Sequence, residues 1–193
     1  MSVVNNYYDT EGLRTQIAKG EHRQAIGGMW DEIGKMQFDY MRAAGLTPDM
    51  RFLDVGCGCL RGGIHVVNYL EAGNYFGIDL SRNLLDAGYD LEITGARLQD
   101  KLPRTNLHAT DTFDLTPFGQ IFDMALAVSV FSHLTLNHLK LCLMNLGSCM
   151  RPGGRFHVTY FNSPPDHDWW LCCTNGLTVR VPLSPDRLIP RLL

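Results

Sequence analysis

The stretch Arg51-Phe-Leu-Asp-Val-Gly-Cys-Gly-Cys-Leu-Arg-Gly-Gly63 constrains the fold more than any other part of the chain. Phe52, Leu53 and Val55 have the make-up of a short buried strand. Gly56 and Gly58 follow at once, and the apolar run from Ile64 to Leu70 has the pattern of a helix. Strand, glycine loop and helix in that order build a ligand crevice at the carboxyl ends of the strands of an open parallel sheet.

The rest of the chain repeats the alternation. Tyr75–Asp79 is a second strand, and Ser81 is placed to cap a helix on which Leu84, Ala87 and Leu91 share a face. Asn106–Ala109 is a short third strand, followed by Thr110-Asp111-Thr112. Ile121–Val128 is a buried fourth strand, and Phe131–Met150 a helix with Leu139, Leu143, Leu146 and Met150 inward. Arg151-Pro-Gly-Gly154 predicts a tight turn, because Pro presets φ and Gly accepts positive φ. A fifth strand covers Arg155–Phe161. Strands alternating with helices define an α/β class, here a Rossmann-like, doubly wound, mainly parallel sheet flanked by helices with right-handed crossovers.

Before the first strand, Ile26, Met29, Trp30, Ile33, Met41 and Ala44 recur at helical spacing, with a break at Gly27-Gly28 and a stop at Gly45. Residues 1–50 form an N-terminal arm and helical cap, and residues 51–193 the core of one domain. With 193 residues, 45% hydrophobic and 19% charged, the chain supports a full core. The net charge of -3 offers no electrostatic footprint for nucleic acid. No apolar run reaches the length of a membrane span, and the polar N-terminus lacks a signal-peptide core, so a cytoplasmic location and no membrane partner are expected. The six cysteines (57, 59, 142, 149, 172 and 173) show no CxxC spacing, so no metal site is expected.

Two phosphate-binding signatures fail at the loop. A dinucleotide fingerprint GxGxxG that starts at Gly56 meets Arg61 at its sixth position, which argues against a nicotinamide-dependent reductase. A GxxxxGK[ST] loop is absent. What stands instead is an acid, Asp54, two residues ahead of Gly-Cys-Gly, and a second acid, Asp79, twenty-one residues beyond Gly58. An acid near that distance contacts ribose hydroxyls in doubly wound folds.

Asp54 before Gly-x-Gly, Gly-Ile-Asp79, Ala-Thr-Asp111 and Met150-Arg-Pro-Gly-Gly154 together resemble the motifs of class I S-adenosylmethionine-dependent methyltransferases. Leu60 stands where that family often has a third glycine; Leu-Arg-Gly-Gly here is similar to a subset of bacterial members. The resemblance covers about residues 25 to 161. It implies S-adenosyl-L-methionine as cofactor, with S-adenosyl-L-homocysteine as product. It implies a site of Asp54, Gly56, Cys57, Gly58, Asp79, Leu80, Asp111, Thr112, Val128 and Ser129. Arg61 suits the cofactor carboxylate, because guanidinium matches that geometry. The segment around Gly28–Gly34 would lie across the crevice as a lid.

The reaction implied is methyl transfer to an O, N or C nucleophile, most simply of a small molecule. His133 is the candidate base where the acceptor arrives protonated; the plainer reading is a helix-start histidine. His65, His108 and His157 read as structural. Asp166, His167, Trp169 and Trp170 form a polar and aromatic cluster after the fifth strand, an acceptor loop or simply surface. A rival reading is a non-catalytic or incomplete cofactor-binding protein. The family fold closes with an antiparallel hairpin, yet about 32 residues follow Phe161 and carry one plausible strand, Leu177–Leu183, before a helical start at Ser184. The C-terminal sheet edge is therefore expected to be shortened, and a homodimer through that edge is expected.

Overall fold

The computed structural model describes residues 10–160 and 178–180. Phe161, the cluster at Asp166–Trp170, Cys172, Cys173 and the helical start at Ser184 lie outside the described residues.

Among the described residues six strands form one sheet: β1 (Phe52–Val55), β2 (Tyr75–Asp79), β3 (Leu107–Ala109), β4 (Phe122–Ala127), β5 (Met150–Val158) and β6 (Thr178–Arg180). Their order is β3-β2-β1-β4-β5-β6, and every pairing is parallel. The chain winds outward from β1 in one direction, then returns to β4 and winds in the other. The reversal lies between β1 and β4, the switch point at which such sheets hold ligands. β6 joins β5 as a three-residue parallel strand, within the segment expected to supply one.

The strands are buried on both faces, yet their alternation still sorts the core into two layers. Leu53, Val55, Phe76, Ile78, Ala125 and Ala127 pack on one side with Leu139, Cys142 and Leu146 of α6 (Leu136–Gly147). Phe52, Tyr75, Met124 and Leu126 pack on the other with Met41, Val66 and Leu85. These last three come from α3 (Trp30–Ala43), α4 (Gly63–Tyr69) and α5 (Arg82–Ala87). Two short helices, α1 (Thr10–Ala18) and α2 (His22–Ala25), precede α3. Leu13, Trp30, Cys59 and Leu84 form a third cluster that seats them on the glycine loop and α5.

Several expected boundaries shift. Gly27 and Gly28 break the first helical pattern as expected, at φ +91° and +63°, so Met29 leaves the helix at φ 46° and is 60% exposed. Ser81 caps α5, its hydroxyl accepting from the Leu84 N–H. Beyond Ala87 the chain widens into a π-helical stretch, Gly88–Ile93, and the wider turn changes which residues face inward. Leu91 therefore points outward, while Glu92 and Ile93 are buried. The last helix begins at Leu136 rather than Phe131, because residues 128–134 bend and turn over the crevice instead. Met150 opens β5 rather than closing that helix.

Arg151–Gly154 is a bulge inside β5: Phe122 pairs with Met150 and Met124 already with Arg155, and Gly153 turns at φ +78°. Of the histidines expected to be structural, His65 stacks on Phe38, His108 meets the edge of Phe118, and His157 is buried with Nδ1 2.9 Å from the Tyr40 hydroxyl. Among the described residues no helix is long and apolar enough to cross a membrane, and no group of three or more His, Cys, Asp and Glu side chains is arranged to hold a metal ion.

Candidate ligand-binding site

A cavity opens beyond the carboxyl ends of β1, β2 and β4. Asp54, Gly56, Cys57, Gly58, Arg61, Asp79, Leu80, Asp111, Val128, Ser129 and His133 all line it. Of the expected site residues, Thr112 alone is not part of the lining. It is exposed on the far side of the turn, its hydroxyl 3.3 Å from that of Thr110, and Thr110 and Phe113 line the cavity instead.

Gly56 and Gly58 turn at φ +72° and +55°, a region that side chains rarely adopt. A Cβ on Gly56 would also fall 2.3 Å from Val130 Cγ2. Leu60 keeps the same left-handed turn, at φ +70°, and buries its side chain completely. Gly62 and Gly63 have separate reasons. A Cβ at Gly62 would lie 2.0 Å from Gln37 Oε1, and one at Gly63 2.4 Å from the Tyr75 hydroxyl oxygen.

Asp79 ends β2 and holds the loop. Its Oδ2 accepts from the Gly58 N–H and its Oδ1 from the Ser81 N–H, both at 2.8 Å. The helix cap itself is Ser81, so a plain capping role does not describe Asp79. Each carboxylate oxygen retains a further lone pair. Burial raises the Asp79 carboxyl above its ordinary value, and the Ser81 and Gly58 N–H groups oppose that rise.

Asp54 is 8% exposed and accepts at Oδ2 from the Tyr75 hydroxyl, 2.8 Å away. Burial, opposed by Tyr75 and aided by the Asp79 charge, pushes its carboxyl up to about 7. Burial and the same two carboxylates hold the Cys57 thiol well above its ordinary range, which keeps it an uncharged wall. Cys59 is pushed to about 12, again by burial first, and its Sγ donates to the His22 carbonyl at 3.4 Å.

Arg61 is engaged in a way not expected from sequence. Its Nη1 donates to the carbonyls of Gly28 at 2.8 Å and Ile26 at 3.3 Å. The lid expected at Gly28–Gly34 is represented in the lining by its neighbours Ile26 and Gln37, and Trp30 is core.

On the outer side, Ser129 and Phe113 both line the cavity at positive φ, 58° and 57°. Such non-glycine strain costs about 1–3 kcal/mol per residue and gathers at functional sites. The Ser129 N–H is held by Thr159 Oγ1 at 2.8 Å. His133 is exposed in the turn at the cavity mouth. His138 joins it from the first turn of α6, with Nδ1 2.8 Å from Thr135 Oγ1. The sequence pattern begins this helix at Phe131, five residues before Leu136, which leaves His138 in its interior rather than at the site. Thr135 at the cap position was the available signal.

A family model described as a methyltransferase domain matches residues 53–156, more than half of the chain, and the chain belongs to that family. Its fold is similar to that of the magnesium protoporphyrin IX methyltransferase ChlM from Synechocystis PCC 6803, with TM-score 0.55 and 13% identity over 78% of this chain and 74% of that one. It is also similar to the sugar N-methyltransferase KedS8 from Streptoalloteichus sp ATCC 53650, with TM-score 0.52 and 21% identity over 80% and 56% of the two chains. For the YcgJ protein from Bacillus subtilis the values are 0.56 and 16%, over 68% and 53%. The chain spans about half the length of the latter two.

Proposed function

We propose that the protein transfers a methyl group from S-adenosyl-L-methionine to an O, N or C nucleophile of a small molecule, leaving S-adenosyl-L-homocysteine. The observation that carries this reading is the placement of Asp54 and Asp79 on one cavity wall, with the glycine loop between them. S-adenosyl-L-methionine supplies an electrophilic methyl group on a sulfonium centre and carries no phosphate. The lining fits such a molecule: three carboxylates (Asp54, Asp79 and Asp111) stand beside one guanidinium, Arg61, which is already engaged by backbone carbonyls.

In this reading the remaining lone pairs of Asp79 accept from the ribose hydroxyls, and Asp54 faces the ammonium group. Asp111 and Leu80 flank the base, and Val128 and Ser129 border the transferring methyl. Alignment and exclusion of water supply most of the catalysis. A base is required only for an acceptor that arrives protonated. His133 holds the position for that task, and His138 shares it. Residues 1–50 act as a cap on the 51–193 core, and a homodimer through the outer sheet edge remains the expected assembly.

Incubation with methyl-labelled S-adenosyl-L-methionine and a fractionated cell extract tests the reading. Label is expected in the low-mass fraction; label confined to protein or nucleic acid would contradict the acceptor class.

A further inference from the structure

Tyr75 opens β2, far along the strand from its ligand-facing end, and is 1% exposed. In the sheet its neighbour is Phe52, while Asp54 stands opposite Gly77. The phenol ring covers that two-residue offset, and its hydroxyl reaches Asp54 Oδ2 at 2.8 Å. Room for the hydroxyl exists because residue 63 has no Cβ. Among the described residues no other hydrogen bond reaches the Asp54 carboxyl, so Oδ1 is left for the cavity.

Asp54 shares the cavity lining with Asp79, Asp111, Arg61, His133 and His138. Tyr75 and Asp79 face it from β2, and Cys57 and Arg61 from the loop. Asp79 is occupied by the Gly58 and Ser81 N–H groups, and Cys57 is held neutral by burial. Arg61 is turned toward the carbonyls of Ile26 and Gly28. Among the described residues no side-chain cation makes an ion pair with Asp54, although it is buried, and a buried carboxylate without a counter-charge is costly. Its carboxyl, pushed up to about 7, accordingly exchanges its proton near neutral pH.

We propose that Tyr75 is a positioning residue for ligand binding: it pins one oxygen of Asp54 inward and presents the other to the cavity, where the ammonium group of the ligand docks and displaces the Asp54 proton to solvent. This rests on the proposed function, which supplies the ammonium-bearing ligand. The balance is simple. The Asp54 carboxylic acid and the ligand ammonium go in; a carboxylate–ammonium pair and one free proton come out. No covalent bond to carbon, nitrogen or sulfur changes. Cofactor affinity therefore rises with pH until the empty site is already ionised.

Calorimetric titration of the full chain with S-adenosyl-L-homocysteine, in two buffers of different ionisation enthalpy, reads the protons released. At pH 6 the ligand amine is fully protonated, so the protein is the source. Release of most of a proton is expected there, diminishing as the pH rises past neutral, because the buried Asp54 carboxyl is raised. Tyr75→Phe removes a single oxygen. It should weaken binding about tenfold at pH 7, as loss of a hydrogen bond to a charged group does. It should also move the half-release point to higher pH. Binding without proton release at pH 6, or a Tyr75→Phe pH profile that overlays the parent, overturns the proposal while leaving the proposed function standing. Absence of binding at every pH overturns both.

Discussion

The Arg61 guanidinium donates to the Gly28 carbonyl at 2.8 Å, tying the glycine loop to the break between α2 and α3. A second bond from the same nitrogen reaches the Ile26 carbonyl. Arg61 thus fastens the cap to the loop, and it does so where Gly34 and Gly62 already bring α3 close to the loop and α4. Arg61→Ala should cost about 2 kcal/mol, the value of hydrogen bonds from a charged donor. Hydrogen exchange in residues 10–28 should accelerate more than elsewhere. Unchanged exchange there would remove the fastening role.

Leu60 offers an inversion of the usual substitution order. Glycine is ordinarily less stable than alanine by up to about 1 kcal/mol. At φ +70° an L side chain costs about 1–2 kcal/mol that glycine does not. Both substitutions empty a fully buried leucine site, losing about 2–5 kcal/mol. Leu60→Gly should therefore be the milder of the two, by about 1 kcal/mol in denaturant unfolding. Leu60→Ala being milder would show that the loop relaxes out of the left-handed turn.

Glu92 tests the seating of the cap from the other side. Its carboxylate accepts from Arg23 Nε and Nη2, at 2.7 Å each, and lies 2.6 Å from His22 Nε2, while Arg23 also covers the Trp30 ring. Burial opposes the charge, but the bonds from Arg23 and then His22 outweigh it, and the carboxyl sits below its ordinary value. The stabilisation is therefore present above the ordinary glutamate range and lost as pH falls through the lowered value. Breaking a buried pair costs about 3–5 kcal/mol; Arg23 is 45% exposed, so the lower end applies. Glu92→Gln should lower stability by about 3 kcal/mol at pH 7 and by much less at pH 3, measured by urea unfolding.

Asp54 acts in the opposite sense. Its folded-state carboxyl is raised from 3.8 to about 7, so the native state binds a proton that the unfolded chain releases. Stability is then full below about pH 4 and lost as pH rises through about 7, by about 4 kcal/mol in all. Asp54→Asn keeps an acceptor for Tyr75 without the charge. It should be more stable than the parent at pH 8 and nearly equal to it at pH 3. A parent more stable than Asp54→Asn at pH 8 would contradict the buried, uncompensated carboxylate.

The sheet was legible because its strands carry short apolar runs, and its acid-bearing ends because Gly56 closes β1 and Asp79 closes β2. The bounds of β2 follow from sequence to the residue. Asp54, Asp79 and Asp111 follow from their places at strand ends. What was not legible depends on contacts between elements distant in sequence. Leu91 faces solvent because Gly88 packs against the Cys59 backbone, where a Cβ would lie 2.8 Å away, and the helix opens into a π turn there. His138 entered the site because residues 128–134 turn over the crevice rather than coil. Tyr75 reads as an ordinary strand aromatic, and its tie to Asp54 becomes visible only when Gly63 and β2 are brought together. Arg61 carried a ligand contact on chemistry alone, whereas the carbonyls that engage it come from a segment more than thirty residues earlier.

In the proposed function this cavity holds the adenosyl amino acid through Asp79. Calorimetric titration with S-adenosyl-L-homocysteine at pH 7.5 tests it, with Asp79→Asn as the control that preserves an acceptor for the loop N–H groups. Saturable binding to the parent chain is expected, and at least a tenfold loss in Asp79→Asn with its circular dichroism spectrum unchanged. Absence of binding to the folded parent, or equal affinity in the two proteins, would contradict it.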